Sequence, residues 1–229
     1  MPNHTEIYKN QAEMYERMIS KQPNLSSVMK EIRDYQGLDV ADLGAGSGRL
    51  SAVIAPEAKS LTSIDQSKAM LDVLESRMPA GLSNLRTVVA DHRDLPIETA
   101  SVDFVVSGWS LCYLANSNNP NWQNDLRTIM SELDRILRPG GTIVIFETMG
   151  TGTEIPNAPD FLKPYYSKLE EEYGFAYRWI RADYEFSSLS EAEELIRFFF
   201  GDELADRVLE HQWQVVPECA GIWWKHTCV

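Results

Sequence analysis

The sequence predicts an α/β fold in which a parallel sheet carries helices on both faces. Three observations support this. Strand-length apolar runs alternate with stretches of helical period, the pattern that winds a parallel sheet. The first run ends in alternating glycines, VADLGAGSGRL at Val40–Leu50. The next run, Leu61-Thr62-Ser63-Ile64, ends in Asp65, 21 residues after Gly44. An apolar run closing on glycines reads as a buried strand that turns sharply into a helix. Glycine suits that turn because it tolerates φ > 0 and because bare backbone admits a ligand.

Each element follows from local pattern. Residues 5–19 and 24–35 read as two helices ahead of the first strand. Tyr8, Ala12, Tyr15 and Met18 share one face of the first helix, and either core packing or a lid over a ligand explains that face. Ser67 is a plausible N-cap for a helix over Lys68–Met78. Strands are expected at Leu85–Ala90, followed by Asp91-His92, and at Val102–Val106, followed by Ser107-Gly108-Trp109. The loop Ala115–Asn121 carries turn chemistry, and Trp122–Leu137 holds the 3.6-residue apolar period throughout. A strand at Thr142–Phe146 follows Pro139-Gly140-Gly141.

Beyond Glu147 a Gly-, Thr- and Pro-rich loop (Met149–Pro159) leads to a helix at Phe161–Tyr173 and a strand at Tyr177–Phe186. Ser188-Leu189-Ser190-Glu191 reads as a capping box opening a helix to Phe200. Gly201 breaks it before a second helix, Asp202–His211, and the final strand lies within Gln214–His226. Trp223 and Trp224 alternate across that strand, so one belongs to the core.

Composition narrows the function. A chain of 229 residues, 44% hydrophobic, fits one domain with room for a cap. The net charge of −13, from 34 acids and 21 bases, comes without a basic stripe, which disfavours nucleic acid and other polyanions. No apolar segment approaches membrane-helix length, and the opening residues lack a signal peptide's apolar region, so a cytoplasmic protein without membrane contact is expected. Cys112, Cys219 and Cys228 are three in number and lack C-x-x-C spacing, which fits a reducing compartment and no zinc site.

Taken together, DLGAGSG, IDQS, ADHRDLP, SVDFVVSGWSL and LRPGGTIVIFE, in this order over about residues 38–148, resemble a class I S-adenosylmethionine-dependent methyltransferase of the type-11, small-molecule group. The spacing G-x-G-x-G departs from the dinucleotide fingerprint G-x-G-x-x-G. The resemblance implies a Rossmann-like, doubly wound sheet of seven strands, mostly parallel with the last antiparallel, plus helical cap elements. It implies a single domain over 1–229, with a helical lid at 1–36, a donor-binding core at 38–148, and a C-terminal part at 149–229 whose helical insertion spans about 187–213.

The same resemblance implies a donor site. Gly44, Ala45, Gly46 and Gly48 cradle the methionyl part with Asp42 at its edge. Asp65 takes the ribose hydroxyls, and Gln66 lies against adenine. The Asp91 carboxylate and the His92 backbone serve the adenine edge, while Ser107 or Gly108 carbonyls take the ammonium. Structural roles stand beside these, above all for Asp42, which also suits tying down the turn. The His92 side chain reads as rim or solvent.

Methyl transfer asks mainly for positioning in a dry site, with a base only for acceptors that must lose a proton. Tyr15, Tyr113 and His92 are candidates for that base by position, and Trp109 is a candidate for touching donor or acceptor. The acid and the Asn-Asp pair of metal-dependent catechol-type enzymes are replaced by Ser107-Gly108 and Glu147-Thr148, so no metal is expected. The Asn-Pro-Pro-Tyr type motif is absent, since the chain reads SGWS after strand four. The expectation is a small-molecule methyltransferase, monomeric or homodimeric. The alternatives are a protein or RNA methyltransferase, or a non-catalytic donor-binding regulatory module. For the apolar link at Leu195–Phe200, covering a pocket and forming a dimer remain open alternatives.

Overall fold

The structure, a computed structural model, describes residues 2–228. The chain opens with α1 (His4–Asn10), α2 (Ala12–Ile19) and α3 (Ser26–Ile32). The single helix expected at 5–19 breaks at Gln11, where φ is −136°. Along a continuous helix, Tyr8 and Tyr15 would be offset by about 10 Å. The break turns α1 back so that their rings meet edge-on at 5.2 Å.

An alternating series follows: β1 (Asp39–Leu43), α4 (Ser51–Ile54), β2 (Ser60–Asp65), α5 (Lys68–Arg77), β3 (Leu85–Val89), β4 (Val102–Gly108), α6 (Trp122–Ile136) and β5 (Leu137–Thr151). The Ser67 side chain caps α5 by accepting from the Met70 N–H. β5 is longer than the expected Thr142–Phe146. Upstream, Leu137 pairs with Val102 across a register shift. Downstream, Thr151 pairs with Glu218.

The remaining elements are α7 (Lys163–Glu171), β6 (Ala176–Arg181), β7 (Tyr184–Glu185), α8 (Leu189–Phe200), α9 (Asp202–His211), β8 (Val215–Val216) and β9 (Glu218–His226). The single strand expected at Tyr177–Phe186 splits in two. The Ala182 N–H donates to the Glu218 carbonyl, and the Asp183 carboxylate accepts from the Glu218 N–H at 3.0 Å. This turns the chain out of the sheet, and β7 pairs instead with β8 in a small antiparallel ribbon.

The main sheet has seven strands in the order β3-β2-β1-β4-β5-β9-β6. β1 to β5 run parallel, and β9 is antiparallel to both its neighbours, β5 and β6. Strand alternation divides the core between two faces. Val105, Ile143, Ile145 and Trp223 pack with Leu126, Ile129 and Leu133 of α6 and with Tyr165 and Leu169 of α7. Phe104, Val106, Val144, Phe146 and Ile222 pack with Met29 of α3 and Ile54 of α4. Trp223 is buried on the first face, and Trp224 packs against the second.

A third apolar cluster forms a cap. Ile7, Met18 and Ile19 meet Leu195, Ile196, Phe199, Val208 and Val216 there. The apolar sides of α8 are thus covered by α2, α9 and the small ribbon of this same chain. Ser188 caps α8 as expected, accepting from the Glu191 N–H at 3.1 Å, while Glu191 reaches back to the Ser187 N–H at 2.8 Å. Glu191 also pairs with Lys21 at 2.7 Å, tying the chain after α2 to the start of α8. Of the segment 1–36 read as a lid, α1 and α2 belong to this cap, whereas α3 packs on the sheet. Among the described residues, no helix is long and apolar enough to cross a membrane.

Candidate active site

The glycine turn lies at the C-terminal edge of the sheet, between β1 and its neighbours β2 and β4. The Gly44 and Ala45 N–H groups donate to the Ile64 carbonyl at 2.8 and 2.9 Å, tying the turn to β2. Gly44 has φ +69°, and a Cβ there would stand 1.8 Å from Ser110 Oγ. Gly48 serves a different need. Its φ is +98°, and a Cβ would meet Leu74 Cγ at 2.8 Å, so it permits close packing on α5.

Asp65 braces the same turn. One carboxylate oxygen accepts from the Gly46 N–H at 2.9 Å, the other from the Ser67 N–H at 2.8 Å. Burial raises its pKa against the pull of those N–H donors. Asp42 is buried at the end of β1, where it accepts from Ser51 Oγ at 2.6 Å and leaves Oδ1 without a partner. Burial pushes its pKa up to about 7.

A cavity of about 560 Å³ opens over this turn. Gly44 and Gly46 form its floor, Asp65 to Met70 one wall, and His92 with Gly108, Trp109 and Ser110 the other. The roof is aromatic. Tyr8 and Tyr15 come from the broken N-terminal helices, and Tyr113 from the loop after β4. The Tyr8 and Tyr113 hydroxyls share a hydrogen bond at 2.5 Å, and Ser67 Oγ donates to the Tyr8 carbonyl at 2.9 Å. His4 stacks on Phe199 of α8 at 4.3 Å. Glu16 of α2 accepts from Ser47 Oγ and pairs with Arg77 at 2.7 Å, latching the roof to the turn and to α5.

The sequence candidates divide here. Gly44, Gly46, Asp65, Gln66, His92, Gly108, Tyr15, Trp109 and Tyr113 line the cavity. Asp42 and Ala45 line a smaller recess beside it. Asp91 lines neither, because its carboxylate is held by Arg93 at 2.7 and 2.8 Å and by the Gln66 amide at 2.9 Å. Ser107 points down instead, its hydroxyl bonded to the Leu43 carbonyl at 2.9 Å. The His92 side chain was expected at the rim or in solvent. It is only 4% exposed, sharing a hydrogen bond between Nε2 and Ser110 Oγ at 2.7 Å. Burial lowers its pKa to about 4, which keeps the ring neutral at physiological pH. Burial raises the pKa values of Tyr8, Tyr15 and Tyr113, so these phenols remain protonated.

Sequence reasoning missed three contributors. Ser110 contacts both Gly44 and His92, but nothing in the sequence marks it apart from Trp109. Glu16 carries an ordinary helix-surface pattern. Arg49 closes the glycine motif, yet its burial depends on the roof above it. Behind the cavity, Glu147 on β5 and Glu218 on β9 are buried, each with one oxygen unpartnered and a pKa raised by burial to about 7. Among the described residues, no group of three or more His, Cys, Asp or Glu is placed to hold a metal ion.

The chain is similar to several known proteins. The family model described as "Methyltransferase domain" matches residues 41–145. The demethylmenaquinone methyltransferase of Lactococcus lactis is 28% identical over 213 residues, covering 84% of this chain and 79% of that protein. Its Staphylococcus aureus counterpart is 29% identical over 187 residues, covering 75% and 70%. Among solved structures, an S-adenosylmethionine-dependent methyltransferase from Aquifex aeolicus aligns with a TM-score of 0.59 at 14% identity, over 93% of this chain and 96% of that one. A Haemonchus contortus phosphoethanolamine N-methyltransferase, solved with S-adenosylhomocysteine, aligns at 0.53 and 18% identity, over 90% and 43%. At such identities the structural likeness speaks for the fold alone.

Proposed function

We propose that the chain is a class I S-adenosylmethionine-dependent methyltransferase that methylates a compact, partly apolar small molecule held under the aromatic roof. One observation carries this reading: the cavity of about 560 Å³ joins a glycine-turn floor to walls and roof of Trp109, Tyr8, Tyr15 and Tyr113. Such a space suits a nucleoside donor and a small flat acceptor. The net charge of −13 argues against a nucleic-acid substrate. The similarity to demethylmenaquinone methyltransferases supports a small-molecule acceptor of the demethylmenaquinone kind.

The residues fit such a donor. Among the described residues, Asp42 Oδ1 and His92 Nδ1 are buried polar atoms without partners at this edge, as groups awaiting a ligand are. The Asp65 carboxylate retains lone pairs toward the cavity for the ribose hydroxyls. Gln66 lies where an adenine face would rest, and the Gly44–Gly46 backbone lies under the methionyl chain. When bound, S-adenosylmethionine supplies an electrophilic methyl carbon on a sulfonium.

The side chains then position the acceptor and exclude water. Tyr8, Tyr15 and Tyr113 act as walls and hydrogen-bond donors, since their raised pKa values make them poor bases. His92 is neutral with its basicity lowered by burial, which makes it a weak base. The test is a metabolite extract incubated with methyl-labelled donor and then fractionated by size. Label is expected in the small-molecule fraction. Label confined to protein or RNA would overturn this reading.

A further inference from the structure

His4, which opens α1, lines the cavity together with Tyr8 and Tyr113. Its ring stacks on Phe199 of α8 at 4.3 Å with 3° between the planes, which fixes its orientation. Nε2 lies 3.0 Å from the Phe199 carbonyl oxygen. That carbonyl is one of the last four of α8, which a helix leaves without an internal partner. A carbonyl only accepts, so in the neutral ring Nε2 carries the hydrogen and Nδ1 keeps a bare lone pair. Nδ1 lies 3.3 Å from the Tyr113 hydroxyl, and that hydroxyl lies 2.5 Å from the Tyr8 hydroxyl. The 3.3 Å contact is long, as hydrogen bonds of a working site often are before a ligand tightens them.

These contacts give the row of groups one polarity. The bare Nδ1 can only accept, so Tyr113 gives its hydrogen to His4. The Tyr113 oxygen then accepts from Tyr8, whose own oxygen is left with lone pairs and, among the described residues, no donor. Tyr8 borders the cavity, so a ligand hydroxyl placed there completes a line of four groups that ends at His4. A tyrosine inside such a line passes one proton on as it takes another, and it never becomes a phenolate. The burial that makes Tyr8 and Tyr113 poor bases therefore does not bar them from carrying a proton. The far end suits a positive charge. Cations are stabilised at the carbonyl end of a helix, and Nε2 already faces that end of α8. His92 does not take this part, since burial makes it a weak base, and Asp65 is engaged by the Gly46 and Ser67 N–H groups.

We propose that Tyr8, Tyr113 and His4 form a proton relay that draws the proton from a hydroxyl on the acceptor, with His4 as its terminus. The relay rests on the reading that the acceptor lies under the aromatic roof, and it narrows that acceptor to ring compounds with an acidic hydroxyl, phenols and enols. The acceptor O–H bond breaks and its proton joins the Tyr8 oxygen. The Tyr8 proton moves to Tyr113, and the Tyr113 proton moves to His4 Nδ1. The electron pair of the broken bond stays on the acceptor, on oxygen or delocalised to a ring carbon, and forms the new bond to the methyl carbon. The pair of the old carbon–sulfur bond stays on sulfur, which becomes a neutral thioether. His4 is partly exposed and returns its proton to water.

Two measurements test the relay. The first needs neither ligand nor variant. Nitrogen NMR of the free protein, at a pH where the ring is neutral, should find His4 protonated on Nε2 and bare on Nδ1, and the opposite tautomer overturns the relay. The second uses para-nitrophenol, whose phenolate absorbs visible light and whose acidity is near that of an imidazole, at a pH where the free phenol keeps its proton. Its methyl ether, para-nitroanisole, is the control without a hydroxyl. Bound to the wild type, para-nitrophenol should ionise roughly threefold more than in solution, with His4 Nδ1 protonated in proportion. His4→Gln keeps both tyrosine hydroxyls but removes the base. The bound phenol should then ionise no more than in solution, because burial disfavours the phenolate. Tyr113→Phe breaks the line in the middle and should do the same, while para-nitroanisole affinity changes less than about twofold in either variant. Phenolate that persists in His4→Gln, or that forms in the wild type without protonation of His4, overturns the relay. If both probes bind the wild type and the phenol stays neutral, the relay alone fails. If neither binds, the acceptor pocket under the roof fails first and the relay falls with it.

Discussion

At the residue scale, Asp65 serves two needs that substitution can separate. Its carboxylate braces the glycine turn through the Gly46 and Ser67 N–H groups, and it faces the cavity where a ribose is proposed to lie. Asparagine keeps one acceptor oxygen but no charge, whereas alanine removes both contacts. Asp65→Asn is expected to stay folded within about 1–2 kcal/mol while donor affinity falls roughly 10- to 100-fold. Asp65→Ala should add a loss of about 2–4 kcal/mol in stability, since two N–H groups lose their acceptor. Thermal melts and calorimetry with S-adenosylhomocysteine measure the two effects separately. An Asp65→Asn variant that binds like the wild type would show that Asp65 only braces the turn. The brace was hidden in the sequence, because spacing places an acid beside a ligand and says nothing of the backbone groups it already holds. Arg49 was hidden for a related reason. A charged residue after a glycine turn reads as solvated until the roof above it is known.

At the element scale, α2 is held over the glycine turn by Glu16, through Ser47 and through Arg77 at 2.7 Å. Glu16→Ala removes both ties and leaves the apolar packing of Met18 and Ile19 in place. Stability should fall by only about 1 kcal/mol, because the Arg77 partner is half-exposed and such pairs contribute little. Donor dissociation should instead quicken several-fold, and proteolysis near residues 10–22 should accelerate. Unchanged dissociation with unchanged cleavage would mean that α2 does not gate the site. The strands and α6 were legible in the sequence because period-2 and period-3.6 patterns report burial directly, as at Val105 against Phe104 and along Leu126–Leu133. The break at Gln11 and the split after Arg181 were not. Neither carries Gly or Pro, and both arise from tertiary contacts, the Tyr8–Tyr15 pair and the Asp183–Glu218 bond.

At the scale of the whole molecule, three buried acids give stability an unusual pH dependence. Asp42, Glu147 and Glu218 rise by burial to about 7 from ordinary values of 3.8 and 4.5. Between those limits the native state keeps protons that the unfolded chain has released. His92 opposes them, falling from 6.5 to about 4, so there the unfolded chain holds the extra proton. Three groups outweigh one. The stability these acids contribute is complete below about pH 4 and is lost as pH rises through 7. Asp39 and Glu191, both held near 2, lose their contribution as pH falls below about 4. The ligand-free protein should melt at higher temperature at pH 5 than at pH 8, by calorimetry or near-ultraviolet circular dichroism. A melting temperature that climbs across that interval would contradict the burial of these acids. The placement of β9 has a consequence of another kind. β6 leaves the ribosome before β9, yet among the described residues β9 is its only neighbour in the sheet. Until residues 218–226 emerge, β6 is a stranded edge with no seam to join, and such late, non-local pairing is slow. Strands β1 to β5 find their partners in order of synthesis and can set early. Nascent chains stalled before β9 should therefore hold a formed glycine turn beside an open, aggregation-prone flank.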